Sequence, residues 1–388
     1  MNRVKARKRR DRNAKYHIAI VLAAAAAMVA VGFIWFIHDG VNFQENYNIH
    51  LSLMHGLKLT GYGSNDDPMP LYFLLLHWFN AMFHGNYLFW DRILSLSAYA
   101  LLIIVAYAIG RLAAERSFSG LIAALLIASS PFMIWYASRA TVYSFLALGV
   151  AINLLAFVGL LKKRRWALFL YLPSLMIGLG LHFFFLAILV TQLGYILYRR
   201  RELGRSFFEI GLASLVLALA AFGYYYAISS VGSFSHWHYL PTTARPSTTN
   251  TFIIFFQYLF GFQSVVTTTL IISLWPLLVV LGLLAVQKYI RPPDAVKYLF
   301  LSATVPVIAL FFSSWIKEPL FLSSYLIVCL PPFLIFLAWY LSAYKQKALS
   351  LARYGLIAGM LAMMVLELIN WHLALSHDYL GLLFAHWF

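Results

Sequence analysis

The chain has 388 residues, of which 62% are apolar, 17% aromatic and only 11% charged. A soluble domain covers its surface with roughly 25% charged residues, so this composition excludes an ordinary soluble globular protein. The net charge of +16 is distributed in short runs between apolar blocks, a pattern that argues against nucleic-acid binding and fits charge-directed membrane topology. Cys329, the single cysteine, sits inside an apolar run and leaves no basis for a disulfide framework or a zinc cluster.

The chain opens on a basic arm, MNRVKARKRRDRNAK, followed by an apolar stretch from Ile18 to Ile37. That stretch is longer than the roughly 7–15 apolar residues of a cleaved signal peptide, so an uncleaved signal anchor is expected, with the arm held by anionic lipid at the cytoplasmic face. Further apolar blocks cover 70–84, 91–110, 119–135, 140–160, 166–181, 182–198, 208–229, 267–287, 298–314, 320–341 and 354–373. A helix crossing a hydrocarbon core of about 30 Å needs about 20 residues, and 70–84 (PLYFLLLHWFNAMFH) is short and interrupted by His77 and Asn80.

Charge decides the topology. Basic clusters fall at 3–15, at Arg111 and Arg116, and at 162–165, 199–205, 288–297 and 345–353, with two apolar blocks between each neighbouring pair after the second. The N-terminal arm joins that side only if one of the first three blocks does not cross. The block 70–84 is therefore expected to be an interfacial helix on the outer surface. About eleven crossings then place 24 of the 29 Lys and Arg residues inside and leave Lys58, Arg92, Arg139, Arg245 and Lys317 outside. The expected organisation is a basic cytoplasmic arm (1–17), one all-α polytopic transmembrane domain (18–373) with outer loops at 38–90 and 230–266, and an outer tail (374–388).

Most acids and histidines fall on the same outer side as those five cations. The first outer loop, HDGVNFQENYNIHLSLMHGLKLTGYGSNDDP, holds four carboxylates in a polar, Gly-rich setting. A carboxylate close to lipid is partly desolvated and becomes a better base, which makes Glu45 and the Asp66–Asp67 pair candidates for general-base work. Adjacent acids also suit a divalent ion, although nothing in the sequence requires one and no His/Cys zinc spacing is present. Arg139 and Lys317 read either as residues reaching the headgroups or as anion ligands, guanidinium suiting a phosphate better than ammonium. His182, in GLGLHFFFL, sits where two short helices meet. Tyr72, Tyr143 and Tyr325 read as interfacial aromatics on residue type alone.

The order of these features resembles the GT-C superfamily of polyprenyl-phosphate-sugar-dependent glycosyltransferases, and within it family 39, the protein mannosyltransferase-like group. The resemblance covers most of residues 15–345. It is carried by the acidic first loop, the Pro-Leu-Tyr start of PLYFLLLHWF, the Arg-x-x-Ser start of DRILSLSAYALLIIVAYAIGR, the turn SPFMIWYASRATVYSF, the histidine of GLHFFF and the double proline of LFLSSYLIVCLPP.

What the resemblance implies is a GT-C bundle with an interfacial helix in its first outer loop. Its activity would be inverting transfer of a sugar from a polyprenyl-phosphate donor to a glycan, lipid or protein acceptor on the outer face. A first-loop carboxylate (Glu45, Asp67, Asp66 or Asp39) would act as base. Arg139, Lys317, Arg92 and Arg245 would hold the departing lipid phosphate, and His182, Tyr72, Tyr143 and Tyr325 would contact substrate. The implied setting is the plasma membrane of a prokaryote, with lipid rather than nucleic acid as the partner.

The sequence departs from the family at several points. The usual Asp-Glu of the loop helix is Gln44–Glu45, and Pro68–Met69 replaces the His-Pro before Pro-Leu-Tyr. Thr141 stands where an arginine precedes Tyr143, and Ser324–Tyr325 replaces Arg-Tyr. The alternative class is a transporter, lipid flippase or surface-polysaccharide polymerase. Transport is disfavoured because mid-helix positions carry almost no charge and no inverted repeat is visible.

Overall fold

The computed structural model describes residues 2–38, 40–53, 70–83, 85–203, 205–231, 245–261, 292–316, 321–343, 351 and 353–365. Among them the structure is helical throughout, without strands. The helices are α1 (Asn2–His38), α2 (Phe43–Ser52), α3 (Pro70–Met82), α4 (Tyr87–Ala114), α5 (Ser117–Ala128), α6 (Pro131–Ala137) and α7 (Tyr143–Leu161). They continue as α8 (Trp166–Leu181), α9 (Phe185–Tyr198), α10 (Arg200–Leu203), α11 (Arg205–Val231), α12 (Thr248–Phe260) and α13 (Asp294–Ile316). A 3₁₀ turn, Tyr325–Cys329, leads into α14 (Leu330–Ala343), and α15 spans Arg353–Val365.

Among the described residues six helices are long and apolar enough to cross a bilayer, or seven if the bent pair α5–α6 is one span; α8, α9 and α15 are shorter apolar helices. Each described helix of this set falls on one of the apolar blocks read from the sequence, while the expected crossing at 267–287 lies outside the described residues. Two blocks differ from the simple helices expected. The block 119–135 bends by 61° between α5 and α6, where Ser130 caps α6 and Pro131 opens it. Proline fits that first helical position, where its missing N–H would have no partner anyway, but cannot continue the helix before it. The block 320–341 enters through the 3₁₀ turn before Pro331 and Pro332.

The basic loops gather at one end of the bundle. Lys162 pairs with Glu115 at 2.6 Å, Arg199 with Asp294 at 2.9 Å, and an Arg116 amine donates to the carbonyl of Ala343 at 3.4 Å. His17, early in α1, meets Phe118 at 6.2 Å between ring centroids, and the Arg353 guanidinium lies 4.8 Å from the same ring. The start of α1 thus shares the end that holds the α4–α5 turn, as expected if α3 does not cross. With 13 residues, α3 reaches about 20 Å at 1.5 Å per residue, too short for a hydrocarbon core of about 30 Å. It buries Tyr72, Phe73, Leu76 and Asn80 and exposes Leu74, Leu75, Trp78 and Met82, an apolar outer face suited to a lipid interface.

α4 and α5 pack backbone to backbone. A Cβ added at Gly120 would stand 2.5 Å from the Tyr107 carbonyl, and one at Gly110 would stand 3.0 Å from the Gly120 Cα. Small residues permit this approach, which in lipid substitutes for the missing hydrophobic drive between helices. A buried polar network ties the later helices together. Gln192 donates to Asn153 Oδ1 at 2.5 Å and to the Tyr298 hydroxyl at 2.9 Å, and accepts from Tyr171 at 2.8 Å. Ser174 and Ser214 complete it, linking α7, α8, α9, α11 and α13.

Candidate active site

At the end opposite the basic loops, α1 finishes and α4, α7 and α9 begin. Here α2 is held against the bundle by its own polar side chains. The run Asn-Phe-Gln-Glu forms a capping box: the Glu45 N–H donates to Asn42 Oδ1 at 2.8 Å, and Glu45 Oε2 accepts from the Asn42 N–H at 3.2 Å.

Glu45 is fully buried and both of its oxygens are engaged. Arg92 Nε donates to Oε1 at 2.8 Å and Nη2 to Oε2 at 2.7 Å, the two-pronged arrangement that guanidinium and carboxylate favour. The Ala140 N–H adds a bond to Oε1 at 2.8 Å. One turn further along α2, Asn48 Nδ2 donates to the Ala140 carbonyl at 3.0 Å, so both peptide groups of Ala140 are taken by side chains of α2. Arg92 Nη2 also donates to the Gly40 carbonyl at 2.8 Å, and the arginine is 1% exposed.

The C-terminal end of α2 is tied by a second set of contacts. The Ser52 carbonyl meets His77 Nδ1 at 2.7 Å, and the Ser52 hydroxyl accepts from Asn80 Nδ2 at 3.0 Å. Asn80 Nδ2 also donates to Asp91 Oδ2 at 3.4 Å. Beside these groups, burial and then the Asp91 and Glu45 charges hold the Tyr72 hydroxyl well above tyrosine's usual range, so it stays protonated.

From Ala140 the site continues into an aromatic wall. Tyr143, the first residue of α7, packs on Tyr136 at 4.9 Å and lies 6.3 Å from His182. His182 is the extended residue ending α8; its Nδ1 accepts the Phe184 N–H at 3.1 Å, which fixes the ring. The ring lies 5.7 Å from Tyr325, whose own ring stacks on Phe184 at 4.2 Å.

The fold therefore joins Glu45, Arg92, Tyr72, Tyr143, His182 and Tyr325 into one connected region. Arg139 borders it, in the turn between α6 and α7 rather than inside a helix. Its guanidinium lies 3.4 Å from the Trp135 ring centroid and it is 9% exposed. Arg245 is apart and exposed, 5.5 Å from the Trp315 ring, while Trp315 Nε1 donates to the Pro246 carbonyl at 3.0 Å. Asp39, Asp66, Asp67 and Lys317 lie outside the described residues. Among the described residues no three His, Cys, Asp or Glu side chains converge as metal ligands would. Sequence reasoning gave no role to Asp91, Asn80, His77, Asn48 or Ser52. The one available signal was an acid next to a base at the start of an apolar helix, with two polar residues interrupting the block before it.

The arrangement is that of a polytopic helical membrane bundle. Two crystal structures of ArnT from Cupriavidus metallidurans share it. The one bound to undecaprenyl phosphate aligns with a TM-score of 0.56 at 16% identity, covering 84% of this chain and 60% of that one. The apo structure aligns with a TM-score of 0.56 at 15% identity, covering 85% and 61%. The chain thus spans about three fifths of the length of each ArnT structure. No protein-family model matches the sequence, and no curated protein matches it.

Proposed function

We propose that the protein is an inverting membrane glycosyltransferase that moves a sugar from a polyprenyl-phosphate donor to an acceptor on the outer face of a prokaryotic plasma membrane. The observation that carries this reading is the ArnT-like fold, seen in one of those crystal structures with undecaprenyl phosphate bound, together with a polar and aromatic site at the end away from the basic loops. The basic end would face the cytoplasm, placing the site outside.

In the proposed reaction a loop carboxylate takes the proton of the acceptor hydroxyl as its oxygen attacks the anomeric carbon. The bond from that carbon to the phosphate oxygen breaks with inversion, and the electron pair leaves on polyprenyl phosphate. Cations near the phosphate stabilise the charge it gains, a role that fits Arg139, with Arg245 and Lys317 as further candidates. His182, Tyr72, Tyr143 and Tyr325 would shape the substrate side.

The geometry favours an anchoring role for Glu45 and Arg92. A carboxylate that accepts four hydrogen bonds, two of them from an arginine, has both oxygens committed to holding α2 in place. With Gln44 at the family's usual aspartate position, the base in this proposal comes from Asp66, Asp67 or Asp39. Detergent-purified protein offered mixed polyprenyl-phosphate sugars tests the assignment: sugar transfer or hydrolysis is expected. Absence of turnover with every donor would move the protein to the transporter or flippase class.

A further inference from the structure

α2 is tied down at both ends by neighbouring residues of one helix. Arg92 holds its first turn through Glu45, while Asp91 reaches its last residue through Asn80 and Ser52. Residues 45 and 52 are about 10 Å apart along the helix axis, at 1.5 Å per residue, so two adjacent α4 residues act on both ends of α2, beside the bonds that His77 and Asn48 make. The exposed side chains of α2, Gln44, Asn46 and His50, are oriented by this double hold.

The two anchors differ in kind. Arg92 and Glu45 answer each other with short, charged bonds. Asp91 is fully buried, yet its bond from Asn80 is long, at 3.4 Å, and its Oδ1 has no hydrogen-bond partner among the described residues. Asn80 Oδ1 and the Tyr72 hydroxyl are likewise buried without such a partner. A carboxyl desolvated for one weak bond lowers stability relative to a well-packed apolar residue. Stability therefore does not explain an aspartate here.

We infer that Asp91 is a positioning residue: through Asn80 and Ser52 it sets the C-terminal end of α2 for the transfer reaction, as Arg92 sets the other end through Glu45. The link to turnover rests on the glycosyltransferase reading above; the hold on α2 does not.

The test uses the full chain in detergent with Asp91→Leu, Asp91→Asn and Asn80→Ala. Amide hydrogen exchange over residues 47–53 is expected to rise on the order of tenfold in Asp91→Leu and Asn80→Ala, with α5 and α7 unchanged. Asp91→Asn, which keeps an acceptor oxygen, is expected to restore protection near the wild-type level. The melting temperature of Asp91→Leu is expected to stay level or rise while kcat falls and KM for the donor holds. A lowered melting temperature with loosening throughout the bundle would make Asp91 an ordinary structural residue and overturn the inference. So would unchanged exchange in α2. Protein that shows the exchange pattern but turns over no donor would refute the transferase reading and leave the positioning of α2 standing.

Discussion

Replacing Glu45 with Gln is the sharpest perturbation of the site. The substitution keeps the shape but removes the charge that faces Arg92. The guanidinium, 1% exposed, would retain the Gly40 carbonyl and lose the Glu45 charge. Removing one partner of a buried ion pair costs about 3–5 kcal/mol. At about 2 °C per kcal/mol for a chain of this size, the melting temperature should fall by about 6–10 °C. Arg92→Met combined with Glu45→Gln removes both charges of the pair and should recover part of that loss, giving a clear coupling in a double-mutant cycle. Cys329 supplies the assay, since it is the single cysteine and fully buried, so a thiol-reactive dye reports its exposure on unfolding. A single-mutant loss below about 1 kcal/mol, the range of an exposed pair, or simple additivity in the cycle would refute the view that this pair anchors α2.

Three further outcomes follow from the packing. Gly120→Ala would push a methyl group to 2.5 Å from the Tyr107 carbonyl, and prying α4 from α5 should cost about 1–3 kcal/mol, read by the same thiol assay. Gln192→Leu removes the hub joining Asn153, Tyr171 and Tyr298; it should destabilise the fold by about 1–2 kcal/mol and raise exchange in α8 and α9 before α4 and α5. Arg139→Gln should weaken binding of undecaprenyl phosphate, measured by native mass spectrometry, without lowering the melting temperature as Glu45→Gln does. Equal binding by both proteins would remove Arg139 from the phosphate site.

The apolar helices were legible because a membrane helix needs a long apolar run, and those described fall on the apolar blocks of the sequence. The same logic separated α3 from the crossing helices, and the contact of His17 with Phe118 accords with it. Internal packing was less visible. Helices such as α7 are apolar on every side, so periodicity gives no buried face and no hint that Asn153 meets Gln192. The bend at Ser130–Pro131 had a local signal, a capping serine followed by proline, but its size depends on contacts such as the Ser130 hydroxyl donating to the Tyr258 carbonyl, 128 positions away. Glu45 stood out in the sequence as an acid in a polar loop. Its pairing with Arg92, 47 residues distant, turns on tertiary geometry that residue type does not encode.

The most direct test of the central claim is release of polyprenyl phosphate from a sugar-labelled donor by purified wild-type protein, beside Asp66→Asn, Asp67→Asn and Asp39→Asn, each checked for an unchanged melting temperature. The account predicts turnover by the wild type that one of these substitutions abolishes while the protein stays folded and still binds the lipid. Turnover indifferent to all three acids, or none by the wild type with any donor, would contradict it.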